Sequence, residues 1–78
     1  MITLNELSVG EYAEVLKIET EKEVLERLKM LGIVVGSQVR MLKKTFFGNT
    51  FLVETDGVRI GMRKNPASKI FVERGVRE

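Results

Sequence analysis

The chain has 78 residues and a formal net charge of +2, from 13 lysines and arginines against 11 acidic residues. It contains no cysteine and no histidine, which excludes disulfides, zinc–thiolate sites and nucleophilic triads built on these side chains. A domain of this size buries only about 60% of the surface of its unfolded chain, so most apolar side chains are needed for the core. No segment reads as a signal peptide or approaches the roughly 20 apolar residues that span a bilayer. We therefore expect one cytoplasmic domain over residues 1–78.

The first third of the chain predicts a strand followed by a short helix. Residues 12–18 carry apolar side chains on both faces, with Leu16 and Ile18 opposite Ala13, which is typical of a strand in a small closed barrel. Thr20 then begins a capping-box pattern. An apolar stripe with helical spacing follows: Val24, Leu25, Leu28 and Leu31. A helix this short is not stable alone, so we expect its stripe to dock on the sheet.

Four residues are predicted to act as structural turns. Gly32 follows the last residue of the helical pattern, where a left-handed residue commonly ends a helix. Gly36 precedes the apolar–polar alternation of the next strand. Asp56 and Gly57 lie between two alternating segments, which is the strongest short-range signal for a β-hairpin. Together with a loop signal at Gly48 and Asn49, these turns divide the middle of the chain into three strands.

The C-terminal segment predicts one helical turn and a last strand. Asn65 is placed as a helix cap and Pro66 as the first helical residue. Residues 69–73 are then expected to form the last strand, with Ile70 and Val72 pointing inward. The whole order indicates a mainly β fold with one short α-helix, a small SH3-like β-barrel of about five strands.

The segment from Arg27 to Leu42, RLKMLGIVVGSQVRML, resembles the signature of the ferrous iron transport protein A (FeoA) family. That signature has leucine before Leu-Gly, a second glycine four residues later, and an alternating strand. Val35 and Thr50 stand where the family often has proline, and both differences concern the stiffness of loops. The later half agrees with the family's spacings at Gly48, Val53, Asp56, Gly57, Ile60, Met62, Arg63, Ala67, Ile70 and Val72.

The resemblance implies an SH3-like barrel and a role in ferrous iron uptake. It implies a non-enzymatic module that regulates the membrane ferrous iron permease by contact with the permease's cytoplasmic GTPase portion. The chain would then be peripheral to the membrane only through that partner. Two alternatives stay open: a transition-metal-binding module like the C-terminal domain of iron-dependent repressors, and a small nucleic-acid-binding barrel. The direction of any effect on GTP hydrolysis and the formation of a homo-oligomer also stay open.

We predict no metal site and no bound cofactor. Fe²⁺ prefers imidazole and carboxylate ligands, and without histidine only Asp56 and the glutamates supply the latter. Asp56 is explained by the hairpin turn. Glu19, Glu21 and Glu23 are explained by the start of a helix, where acidic side chains favour the positive end of the dipole.

The methionines are interpreted as core residues rather than as a site for a soft metal. Met41 and Met62 fall at inward positions of predicted strands, and Met30 lies near the end of the helix.

The residues predicted to bind a partner are aromatic and basic. Phe46, Phe47 and Phe51 surround a Gly-Asn loop and are hard to bury completely in so small a domain. Arg59 and Arg63 share one face of a strand. We interpret this face, with the neighbouring Arg40, Lys43, Lys44 and Lys64, as a basic surface that meets an acidic patch of a protein. Nucleic acid is not expected, because few aromatic side chains are present for base stacking.

Overall fold

The computed structural model describes residues 1–45, 47 and 49–75. All its strands are antiparallel and belong to one sheet, in the order β1-β6-β2-β3-β4-β5. The prediction of a mainly β fold with one short α-helix is confirmed. The elements in chain order are β1 (Ile2–Thr3), a 3₁₀ helix (Leu4–Glu6), β2 (Tyr12–Ile18), α1 (Lys22–Met30), β3 (Gln38–Lys44), β4 (Thr50–Thr55), β5 (Val58–Arg63), α2 (Lys64–Ala67) and β6 (Ile70–Arg74).

The sheet has one strand more than predicted, and its ladder is open. The additional strand is β1, which pairs with β6 over two residues. Among the described residues, no ladder joins β5 to β1, so these two strands are the edges of the sheet. The short helix α2 contacts both β5 and the 3₁₀ helix, and it bridges the region where a closed barrel would have another ladder.

The core consists of alternate residues of the strands together with side chains from the connecting segments. Burial of each large aliphatic side chain contributes about 1.5–3 kcal/mol to stability, so a chain this small depends on most of them. The largest fully buried side chains are Leu4, Leu7, Val15, Ile33, Val39, Met41, Val53, Ile70 and Val72.

A bulge in β2 changes the predicted faces of that strand. The register of β2 against β6 shifts between Val15 and Lys17, so Leu16 is the inserted residue. Leu16 is consequently exposed, whereas Ile18 packs against the core on the same side as Val15. The predicted grouping of Leu16 with Ile18 was wrong, because one inserted residue reverses the alternation beyond it.

Helix α1 ends as predicted but begins one residue later than predicted. Gly32 has a φ of +94°, and its N–H donates to the carbonyl of Lys29 at 3.0 Å, while the N–H of Ile33 donates to that of Leu28 at 2.9 Å. These two hydrogen bonds form a Schellman motif. At the other end the cap is Glu21, with no side-chain hydrogen bond, so the predicted cap at Thr20 was wrong.

The turns predicted at Gly36 and at Asp56-Gly57 are present, whereas the predicted start of α2 was wrong. Gly36 has a φ of +96°, and its N–H donates to the carbonyl of Val15 at 2.8 Å. Asp56 and Gly57 have φ values of 53° and 80°, as in a type I′ hairpin turn. Helix α2 begins at Lys64, so Pro66 is its third residue rather than its first.

The methionines divide between the core and the surface. Met41 and Met62 are buried, as predicted. Met30 is 87% exposed, so its interpretation as a core residue was wrong. It is the last residue of α1 and lies outside the stripe that faces the sheet.

The 3₁₀ helix is tied to the strand before it by a hydrogen bond to a carboxylate. The backbone N–H of Thr3 donates to Oε1 of Glu6 at 2.8 Å. This hydrogen bond is the main cause that lowers the pKa of the exposed Glu6 carboxyl below its ordinary value, with a smaller contribution from the Thr3 side chain.

Candidate partner-binding surface

The strand β5 presents two arginines on its solvent face. The two-residue turn at Asp56 and Gly57 sets the register of β4 against β5, and alternation sends Ile60 and Met62 into the core. The intervening residues Arg59, Gly61 and Arg63 are all exposed. The structure therefore brings Arg59 and Arg63 onto one face, as predicted from the sequence, with a glycine between them.

Neither arginine of β5 is part of an ion pair with a described residue. The ion pairs in the described ranges join Lys17 with Glu19 at 2.7 Å and Arg74 with Glu11 at 3.2 Å. The residues opposite Arg59 and Arg63 on β4 are Glu54 and Thr50. Both guanidinium groups are consequently available to an acidic partner.

The wider basic surface is less uniform than the sequence suggested. Arg40 lies between Tyr12 of β2 and Glu54 of β4 in the register of the sheet, and its guanidinium carbon is 5.1 Å from the centre of the Tyr12 ring. Its Nε atom is buried and has no hydrogen-bond partner among the described residues. Because Glu54 separates Arg40 from Arg59, the two arginines do not form a continuous positive patch.

The three phenylalanines of the predicted aromatic cluster have different surroundings. Phe47 is 82% exposed, whereas Phe51 is 4% exposed and belongs to the core. Phe51 is therefore not available as a contact residue, and this part of the predicted surface is corrected. Phe46 lies outside the described residues. The alternation of β4 explains the burial, since Phe51 and Val53 occupy the same face.

The aromatic loop and the basic strand meet at one end of β5. The N–H of Lys64, directly after β5, donates to the carbonyl of Asn49 at 3.1 Å. Phe47 is two residues before Asn49, so the exposed ring is carried by a loop that is attached beside Arg63. The predicted residues Phe47, Arg59 and Arg63 thus lie on connected parts of the fold.

A groove between α1 and β5 is the feature that the sequence analysis did not identify. Its volume is about 970 Å³. The apolar stripe of α1 docks only in part, because Leu28 is buried while Leu31 is 42% exposed. The sequence feature that could have indicated this groove is the apolar stripe of a short helix, which the structure buries only in part. The groove is lined by Glu19, Thr20, Glu21, Val24, Arg27, Leu28, Leu31, Ile60, Gly61, Met62, Arg63, Asn65, Pro66 and Lys69.

The acidic residues considered as metal ligands are not gathered into a cluster among the described residues. Across the residues that the structure describes, no group of three or more acidic side chains is arranged to hold a metal ion. Glu19 pairs with Lys17, Glu21 lies at the N-cap position of α1 without a side-chain capping bond, and Asp56 lies in the hairpin turn. The absence of an Fe²⁺ site stays a prediction.

The sequence profile of the FeoA domain matches residues 2–74. The chain belongs to the FeoA family. A search of curated proteins finds no significant match. No helix in the described part of the chain is both long enough and apolar enough to cross a membrane.

Solved structures give the same assignment. The solution structure of FeoA from Chlorobium tepidum is 35% identical, with a TM-score of 0.86, and the match covers 91% of this chain and 68% of that one. The zinc complex of FeoA from Stenotrophomonas maltophilia, described as a prokaryotic SH3 domain protein, is 30% identical, with a TM-score of 0.76 and coverage of 94% and 91%. The predicted SH3-like fold is thereby confirmed.

The fold also occurs within a larger regulator. A manganese-dependent transcriptional repressor is 22% identical, with a TM-score of 0.87, and the match covers 94% of this chain and 40% of the repressor. At this identity the match shows a shared fold alone.

Proposed function

We propose that this FeoA-family chain is a non-enzymatic cytoplasmic module that regulates the GTPase-bearing ferrous iron permease during Fe²⁺ uptake. The observation that carries the proposal is the family match over residues 2–74. The relative from Stenotrophomonas maltophilia is described as a candidate ferrous iron transport activating factor, which supports the same role. The partner would be the cytoplasmic GTPase portion of the permease.

The exposed groups described above suit contact with an acidic protein surface. Arg59 and Arg63 have no ion-pair partner among the described residues, and Phe47 is exposed on the adjoining loop. Aromatic and arginine side chains are enriched at interfaces. Complementary charge chiefly raises the rate of association and the specificity. We therefore expect binding to weaken as salt increases.

The direct test is binding of the purified chain to the purified GTPase domain of the ferrous iron permease from the same genome. Biolayer interferometry measures affinity at low and moderate salt, and a phosphate-release assay measures GTP hydrolysis with and without the chain. We expect saturable binding that Arg59→Glu with Arg63→Glu weakens about tenfold or more. A matched control is Lys22→Glu with Lys29→Glu on α1, which we expect to leave binding within about twofold. No binding by the unchanged chain would refute the proposal.

A further inference from the structure

The outer edge of β5 carries backbone hydrogen-bonding groups that the sheet does not use. Strand β5 pairs with β4 and with no other strand in the described ranges. In a two-residue hairpin, the residues that flank the turn exchange hydrogen bonds, and every second pair does the same. The flanking pair is Thr55 and Val58. Ile60 and Met62 therefore bond to β4, whereas the N–H and C=O groups of Arg59 and Gly61 point away from it.

Two hydrogen bonds at the far end of the hairpin show the same alternation between residues of β5 that bond to β4 and residues that do not. The N–H of Lys64 donates to the carbonyl of Asn49 at 3.1 Å, which continues the series at even-numbered positions of β5. The carbonyl of Thr50 accepts from the N–H of Thr45 at 3.0 Å and so points toward β3, not β5. Within the described residues, no backbone group is bonded to the N–H or C=O of Arg59 or Gly61.

This edge opens onto the groove between α1 and β5. Ile60, Gly61, Met62 and Arg63 line one wall of the groove, and α1 supplies the other. The apolar side chains that line the groove are Val24, Leu28, Leu31, Ile60, Met62 and Pro66. A Cβ atom built on Gly61 would contact nothing within 4 Å, so the solvent face of β5 is open between Arg59 and Arg63.

The charged residues around the groove favour an acidic occupant. Arg27, Arg63 and Lys69 line it with positive charge, against Glu19 and Glu21. Glu19 is already paired with Lys17, outside the groove lining. The residual charge at this edge is consequently positive.

We infer that the free edge of β5 binds an extended segment of a partner protein in which apolar and acidic residues alternate. Such a segment would add a strand to the sheet, using the outward N–H and C=O groups of Arg59 and Gly61. Because side chains alternate along a strand, its apolar residues would face the apolar side chains of the groove. Its acidic residues would lie on the solvent face beside Arg59 and Arg63.

A second copy of this chain fits the same edge poorly. Antiparallel pairing of two β5 strands about Gly61 would place Arg59 of each copy opposite Arg63 of the other. Like charges directly opposite each other destabilise a strand pair. The charge pattern therefore selects an acidic segment over self-association.

The inference rests on the proposed function, because it names the surface by which the module takes its partner. The first test uses a model peptide and no permease, so the inference and the proposed function can fail separately. The probe is a capped ten-residue peptide of alternating valine and glutamate, titrated into the isotopically labelled chain and followed by amide chemical shifts. We expect saturable shifts at residues 59–63 and on the facing side of α1. A peptide of alternating valine and lysine should bind at least about tenfold more weakly.

Two substitutions at one position isolate the backbone contribution. Gly61→Pro removes an N–H that makes no bond to β4, and proline is tolerated at such edge positions. Gly61→Ala keeps the N–H and adds a methyl group in open space. We expect the proline variant to bind the acidic peptide at least about fivefold more weakly, and the alanine variant to bind within about twofold.

Several outcomes would overturn the inference. One is equal binding of the acidic peptide by the proline and alanine variants. The others are amide chemical-shift changes confined to β1 or another surface, or no shift changes at all. If the proline variant does not fold, two N-methylated peptides replace it, one methylated at every valine and the other at every glutamate. Only one of the two sets of N–H groups can face β5, so equal binding by both peptides would contradict the inference. A permease domain that binds the Gly61→Pro chain with undiminished affinity would overturn the inference and leave the proposed function standing.

Discussion

Substitution of Gly32 by alanine should destabilise the fold by straining the end of α1. Gly32 has a φ of +94°, and a Cβ atom at this position would meet nothing within 4 Å. The cost is therefore conformational rather than steric with neighbours. Placing an L-residue in the left-handed region costs about 1–2 kcal/mol. In a domain of this size, that loss lowers the midpoint of thermal unfolding by about 4–16 °C.

Gly61→Ala is the matched control, because it is the same chemical change without the backbone constraint. Gly61 also has open space around its Cβ position, but its φ is not in the left-handed region. We expect this variant to be neutral or more stable by up to about 1 kcal/mol, since alanine restricts the unfolded chain. Urea unfolding followed by circular dichroism measures both free energies. Equal changes in the two variants would refute the assignment of the Gly32 cost to its φ.

Three further predictions concern burial and pH. Phe51→Ala should lower the free energy of unfolding by about 3–5 kcal/mol, while Phe47→Ala should change it by less than about 0.5 kcal/mol; equal effects in urea unfolding would contradict their burial. Met41→Ala should cost about 2–5 kcal/mol and Met30→Ala almost nothing, which thermal melts can check. Glu6 has a lowered pKa, so its stabilising contribution is complete above about pH 4.5 and is lost as the pH falls through the lowered value. Glu6→Gln should therefore be less stable than the unchanged chain at pH 7, and the difference should shrink as the pH falls below about 4.5; a difference independent of pH would refute this.

Features with a local cause could be predicted from the sequence. The Asp56-Gly57 turn and the helix end at Gly32 require positive φ values that these residues adopt most readily, and both are present. Strand β2 was predicted at residues 12–18, and the structure has the same bounds. In each case the residues next to one another in the sequence are sufficient to predict the local structure.

Features that depend on distant pairing could not be predicted in the same way. The bulge at Leu16 appears only when β2 is paired with β6, which lies more than fifty residues further along the chain. Strand β1 has two residues and is defined by its pairing with β6. The burial of Phe51 follows from the register of β4, whereas its place among three phenylalanines beside a loop suggested exposure. The sequence therefore predicted the arginines of the candidate site but not the groove beside them.

The candidate surface and the core have a common origin in one hairpin. The turn at Asp56 and Gly57 fixes which residues of β5 bond to β4, and the same phase sends Ile60 and Met62 inward. The residues left over carry both the unpaired backbone groups and the outward side chains. Two of these are arginines, and charge on an edge strand opposes edge-to-edge aggregation. A partner that supplies acidic residues at alternate positions would neutralise that charge while it completes the ladder. The features that keep the free edge from self-pairing are thus the ones that would select its partner.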